Sequence, residues 1–257
     1  MNEEQKKRAI QIWKKYCAET EQFLNKSGEF TDVELDKRRI DVIPEVLAVL
    51  QDYLSGDIQL DEFKTRIDSI NKRNRLWGFK GINGQMYFNL MTKTSAAGGK
   101  VSEFEHLLKR SFPQPASLEG AVQIIDDFAQ FTKGLAAYVK DLRAAPKTGA
   151  INFFLSYFWQ VQAPTQYPIY YTSMVNALQD NNLWAPTDKL SESYAAFYQL
   201  NYELQALYSQ EAGREVTLWE VEHTLWYANQ PEQPPETPAQ PPAAVTSQPT
   251  PSVPKAE

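Results

Sequence analysis

Apolar positions recur every three or four residues through most of residues 1–228, which is the period of an amphipathic α-helix. This period predicts helices at 9–24, 46–54, 60–75, 81–94, 101–110, 117–139, 188–211 and 217–227. The segment 151–161 is apolar on most of its sides, so we expect it near the centre of the fold. Only 166–171 is β-prone, and Pro168 interrupts it. The pattern therefore predicts an all-α globular unit of about eight to ten helices.

Several residues indicate where these helices begin and end. Proline is favoured in the first turn of a helix, so a helix is predicted to begin at Pro44, and Gly56 would end it. Thr217 with Glu220 three residues later is the signature of a capping box. Gly213 is expected to end the helix over 188–211.

Proline content divides the chain. Residues 229–257 contain nine prolines and no aromatic residue, so this segment is predicted to be a disordered, Pro-rich tail or linker. Two further prolines lie near 112–117. A boundary there would divide the helical unit into an N-terminal subdomain, 1–112, and a C-terminal subdomain, 113–228.

The composition limits the kinds of chemical site that the chain can hold. The chain has 257 residues, a net charge of −6 and two histidines. It has one cysteine, which excludes an internal disulfide framework and a Cys-rich zinc site. No apolar stretch is long enough to cross a membrane and the N-terminus resembles no secretory signal, so we predict no membrane partner and a cytoplasmic location. Lys100 follows two glycines without the remainder of a phosphate-binding loop. His223 lacks a second histidine one turn away, and it is expected on the outer face of the last helix.

These observations predict no catalytic residue, no cofactor and no metal site. The chain is accordingly expected not to be an enzyme.

Positive charge is concentrated in one part of this acidic chain. The segment 64–110 holds ten lysines and arginines against three acidic residues. Cations interleaved with aromatic rings suit nucleic acid, because cations neutralise phosphates and rings stack on bases. The candidate DNA-binding residues are Lys72, Arg73, Arg75, Trp77, Phe79, Lys80, Lys93, Lys100, Lys109 and Arg110. The alternative interpretation is that the aromatic residues are core anchors and the cations a solvated rim.

Three segments together suggest a family. They are 76–91 (LWGFKGINGQMYFNLM), 153–178 (FFLSYFWQVQAPTQYPIYYTSMVNAL) and 217–227 (TLWEVEHTLWY). The set, including Pro164, Tyr167, Pro168, Tyr170, Trp219 and Trp226, resembles the helical N-terminal region of bacterial modification-dependent, Mcr-type restriction proteins and related defence ATPases or nucleases. The resemblance implies a module that engages a target beside a motor or nuclease domain or subunit.

Two hypotheses follow for function. In the first, the chain is a non-catalytic DNA-engaging or target-recognition module of a bacterial restriction or defence protein. In the second, it is a protein-interaction scaffold that docks a nuclease or motor partner through its aromatic-rich second half.

Overall fold

Ten α-helices build the part of the chain that this computed structural model describes, residues 1–27, 31–141 and 145–229, and those residues contain no strand. In chain order the helices are α1 (Glu3–Ser27), α2 (Thr31–Ser55), α3 (Leu60–Asn74), α4 (Tyr87–Ala97), α5 (Val101–Ser111), α6 (Leu118–Leu135), α7 (Ile151–Gln162), α8 (Thr172–Asp180), α9 (Leu190–Ala212) and α10 (Leu218–Ala228). A π-helical turn, Ile82–Met86, precedes α4. The all-α prediction is confirmed. Of the predicted Pro-rich tail, residues 230–257 lie outside the described residues.

Helix α7 is the centre of the packing. Ten of its twelve residues are buried, and it packs against α2, α6 and α9. The fully buried Phe154 ring lies 5.4 Å from Phe88, 5.7 Å from Phe112 and 6.0 Å from Phe128, measured between ring centroids. Because a helix that is apolar on nearly all sides must be enclosed, the predicted central position of 151–161 is confirmed.

The two predicted subdomains share this core. Phe112 packs closely against Phe158, with ring centroids 4.1 Å apart, and buried apolar residues of 1–112 and 113–228 form one connected cluster. A boundary at 112–113 would therefore cut through packed aromatic rings. The division into subdomains stays a prediction.

The capping prediction at the end of the fold is confirmed. Thr217 and Glu220 form the reciprocal capping box at the start of α10. Gly213 ends α9 in the left-handed conformation, with φ 64°. These local signals are reliable because they satisfy backbone groups that the helix itself leaves unpaired.

Two local expectations were wrong. Pro44 does not begin a helix but lies inside α2, on its exposed face. The buried stripe through Val42, Val46 and Leu50 continues across it, and this burial outweighs the lost backbone hydrogen bond. His223 is not on an outer face: it is 4% exposed, because α10 is enclosed by α1, α8 and α9.

The segment 166–171 forms no strand but an extended connection between α7 and α8. Tyr167 and Tyr170 are buried, and Tyr170 packs on Phe153 of α7 and on Phe197 of α9. Tyr167 likewise lies between Trp159 of α7 and Tyr198 of α9. Among the helices of the described ranges, not one combines the length and apolar character needed to span a lipid bilayer.

Candidate nucleic-acid interface

An open cleft of about 490 Å³ lies at the C-terminal end of α3. Its lining combines cations with polar side chains: Thr65, Asp68, Ser69, Asn71, Lys72, Arg75, Lys80 and Gln85. Arg75 ends α3 in the left-handed conformation, with φ 51°, and its backbone N–H donates to the Asn71 carbonyl at 2.8 Å. This turn directs the chain from α3 into the segment that carries Lys80. Residues on both sides of the turn thus meet at one cleft.

A chain of hydrogen bonds fixes the polar side of the cleft. Asn71 is buried; its side-chain oxygen accepts from the Leu76 N–H at 3.0 Å, and its Nδ2 donates to Gln85 Oε1 at 2.8 Å. Gln85 Nε2 in turn donates to Asp68 Oδ1 at 3.0 Å. Lys64 Nζ lies 2.6 Å from the other oxygen of the Asp68 carboxylate. The one carboxylate of the lining is therefore already held by Gln85 and by a lysine that is outside the cleft.

Three cations of the lining are left without a counterion. Within the described residues, Lys72, Arg75 and Lys80 are exposed and their side chains make no ion pair or hydrogen bond. Lys72 and Arg75 also lie at the negative end of the α3 dipole, a position that favours cations in any helix. Lys80 lies beyond that helix, so the dipole does not account for it. The lining of the cleft therefore offers an anion three cationic side chains that have no counterion among the described residues.

Most other cations of the basic segment are paired with carboxylates. Arg66 lies 3.0 Å from Asp52 and 2.5 Å from Glu62. Lys100 lies 2.6 Å from Glu103. Neither residue lines the cleft. Their charges are largely compensated by the protein itself.

The structure does not bring the remaining candidate cations to the cleft. Arg73 pairs with Glu45 of α2, and Arg110 lies 2.8 Å from Asp127 of α6, at a separate groove between α5 and α6. Lys109 Nζ lies over the Tyr53 ring, 5.2 Å from its centroid. Lys93 is exposed on α4, with no ion pair among the described residues, but it does not line the cleft. Arg73, Lys93, Lys100, Lys109 and Arg110 are therefore not part of the cleft, and their part in DNA binding stays a prediction.

Of the two aromatic candidates, Phe79 belongs to the core and Trp77 packs against it. Phe79 is fully buried, with its ring centroid 5.2 Å from Tyr157 and 5.8 Å from Phe158, so it has no surface on which a base stacks. Trp77 is half-buried, and its indole N–H donates to Gln160 Oε1 at 2.7 Å. The prediction that Phe79 contacts DNA is wrong, and Trp77 serves the fold. Their core position agrees with the alternative interpretation of these rings.

Trp77 also belongs to a buried polar network that the sequence did not reveal. Arg39 of α2 pairs with both carboxylate oxygens of Glu222 of α10, at 3.1 and 2.6 Å. Gln160 of α7 donates to Glu222 Oε2 at 3.0 Å. The Arg39 guanidinium makes cation–π contacts with two indoles, 5.1 Å from the Trp77 ring centroid and 5.6 Å from that of Trp219. The network ties α2, α7 and α10 to the segment that leads into the cleft.

The protonation state of Glu222 follows from these contacts. Burial by itself raises the pKa of this carboxyl, but the charges of Arg39 and His223 and the hydrogen bonds from Arg39 and Gln160 outweigh burial. The pKa of Glu222 consequently lies below its ordinary value of 4.5. The nearby Tyr157 hydroxyl is fully buried, and burial raises its pKa well above 10. At neutral pH the network therefore holds one carboxylate opposite one guanidinium beside a neutral tyrosine.

Comparison of the chain with protein-family models, with curated proteins and with solved structures finds no match in any of the three.

Proposed function

We propose that the chain is a non-catalytic module that binds DNA through the cleft at the end of α3. The observation that carries the proposal is the set of three unpaired cations, Lys72, Arg75 and Lys80, around one open cleft. Phosphates of a nucleic acid backbone are the anions that such a set neutralises with release of counterions. The hydrogen bonds of Asn71 and Gln85 fix the turn that carries these cations, so an incoming phosphate does not have to order a mobile loop.

Two features of the chain shape this proposal. The net charge is −6, so a polyanion is repelled by much of the surface and must be engaged at a restricted site. The contacts in the cleft are to charge rather than to base edges, so they position DNA without reading its sequence. The proposed role is thus backbone engagement.

The resemblance to Mcr-type restriction and related defence proteins supplies the proposed setting. In that setting the module works in the cytoplasm of a bacterium beside a motor or nuclease domain or subunit, which carries out the chemistry. The present chain would contribute contact with the target DNA. A scaffold that docks the same partner without touching DNA is the competing hypothesis.

The experiment that tests the proposal compares two triple variants with the same change in net charge. The cleft variant carries Lys72→Gln, Arg75→Gln and Lys80→Gln. The control carries Gln at three exposed, ion-paired arginines of the same basic segment: Arg66, Arg73 and Arg110. Fluorescence anisotropy with a labelled duplex of about 30 base pairs measures binding, and circular dichroism confirms that both variants are folded.

We expect the cleft variant to bind duplex at least about tenfold more weakly than the parent, and the control to bind within about twofold of the parent. Equal losses in both variants would mean that only net charge matters. Unchanged binding in the cleft variant would contradict DNA binding by the cleft and favour the scaffold hypothesis.

A further inference from the structure

Two large apolar side chains are exposed on the π-helical turn that follows Lys80. Ile82 is 74% exposed and Met86 is 53% exposed, at the two ends of this turn. Exposed apolar side chains normally occur singly, whereas these two lie four residues apart in one helical turn. A π-helical turn is rare in proteins and is frequent at functional sites. The pair therefore calls for a partner that covers it.

The turn is rigidly attached to the core. The Gln85 N–H donates to the Phe79 carbonyl at 2.7 Å, and the Met86 N–H donates to the Gly81 carbonyl at 3.0 Å. Gly84 is packed so tightly that an added Cβ would lie 2.1 Å from the Phe79 oxygen. Ile82 and Met86 are thus held out into solvent by a fixed backbone.

The apolar pair lies next to the cationic cleft. Lys80, two residues before Ile82, and Gln85, directly before Met86, both line the cleft. The same short segment therefore carries groups that face the cleft and apolar groups that face solvent. A ligand that fills the cleft with phosphate meets Ile82 and Met86 beside that phosphate.

We propose that Ile82 and Met86 form an apolar wedge that enters the minor groove of a DNA duplex and partly unstacks a base step, while Lys72, Arg75 and Lys80 hold the adjacent phosphates. This inference rests on the proposed DNA binding and deepens it, because it specifies double-stranded DNA and a bent product. Isoleucine and methionine are among the residues that proteins insert between base steps. The cost of unstacking is offset by burial of the two side chains against bases and by the contacts that the bend permits.

An anionic lipid surface is the other partner that combines negative charge with an apolar phase. A bilayer presents a plane, on which cations need not converge. Here three cations converge on one cleft, which fits a projecting ridge of phosphates better than a plane. The duplex is therefore the occupant that the arrangement favours.

The test uses the full chain with a duplex of about 30 base pairs that carries a donor and an acceptor dye at its ends and 2-aminopurine at a flexible pyrimidine–purine step. The wedge variant carries Ile82→Ala and Met86→Ala. The control variant carries Ile40→Ala and Val101→Ala, two other exposed apolar residues that do not line the cleft. Binding of each protein is also measured against vesicles of phosphatidylserine and phosphatidylcholine.

The expected result is that the parent and the control shorten the dye-to-dye distance and raise 2-aminopurine fluorescence. The wedge variant loses both signals and binds about tenfold more weakly, with an unchanged dependence on salt. If the parent binds duplex in a salt-dependent manner without bending it, or the wedge variant bends it equally, the wedge is overturned and DNA binding by the cleft stands. Vesicle binding that needs Ile82 and Met86, without DNA bending, overturns the wedge in favour of a lipid surface. If the parent does not bind duplex, the proposed function fails and the wedge fails with it.

Discussion

Replacement of Arg39 by methionine removes the guanidinium that pairs with both oxygens of the buried Glu222 carboxylate. Arg39 is 9% exposed and Glu222 is 3% exposed, so water does not readily take over the lost contacts. The carboxylate keeps the hydrogen bond from Gln160 Nε2 and loses both bonds from the guanidinium. Loss of one partner of a buried ion pair costs about 3–5 kcal/mol of the free energy of unfolding. For a domain of this size that corresponds to a fall in Tm of roughly 6–20 °C.

The pH dependence gives this prediction a second readout. The pKa of Glu222 is depressed in the folded protein, so the ion pair stabilises the fold at pH values above the ordinary value of 4.5. This stabilisation is lost as the pH falls through the depressed pKa. Without Arg39, burial is the largest remaining influence on the pKa of Glu222, so the carboxyl of the variant takes up a proton at a higher pH than that of the parent. The deficit of Arg39→Met relative to the parent should therefore be larger at about pH 7 than at about pH 4.

Urea unfolding followed by circular dichroism measures both quantities. An exposed ion pair provides the matched control: Arg66→Met should cost at most about 1 kcal/mol, because exposed pairs are screened by solvent. The double variant with Arg39→Met and Glu222→Leu should recover much of the loss, since it removes both charges of the buried pair. A cost below about 1 kcal/mol for Arg39→Met, or a deficit equal at the two pH values, would refute the reasoning.

Three further changes test the fold and the frame of the cleft. Tyr170→Ala should lower the free energy of unfolding by about 3 kcal/mol or more in a urea titration, because it empties a buried site beside Phe197; a melt identical to that of the parent would place this ring outside the core. Thr217→Ala should cost about 1 kcal/mol through loss of the α10 capping box, whereas Thr217→Ser should be nearly neutral; equal losses would exclude the cap as the cause. Gly84→Ala should destabilise the protein because its Cβ meets the Phe79 carbonyl, and Gly134→Ala, with open space around it, serves as the control; stability equal to that control would contradict the close approach.

Much of the fold follows from local pattern because helices are local structures. The apolar positions of 46–54 and the apolar faces of 151–161 indicate which surfaces are buried before any tertiary contact is known. Pro44 shows the limit of a local signal. A residue type favoured at helix starts is overridden when a buried stripe continues on both sides of it.

The candidate site was only partly predictable, because pairing of charges is a tertiary property. The basic segment identified the region of the cleft, but Arg73 and Arg110 are neutralised by carboxylates 28 and 17 residues away in the chain. Arg39 and Glu222 are 183 residues apart, and no periodicity within either helix reports such a partner. A charged residue such as Glu222 is ordinarily expected on the exposed face of an amphipathic helix, so its burial could not be predicted from the pattern of α10.

The salt dependence of duplex binding tests the central claim most directly. Affinity is measured between about 50 and 200 mM salt for the parent, the cleft variant and the arginine control. Three phosphate contacts at the cleft predict that the slope of log affinity against log salt becomes shallower by about 2.7 in the variant lacking the charges of Lys72, Arg75 and Lys80. The control should keep the slope of the parent. A parent slope near zero, or equal slopes for the parent and the cleft variant, would contradict the claim that this cleft binds DNA.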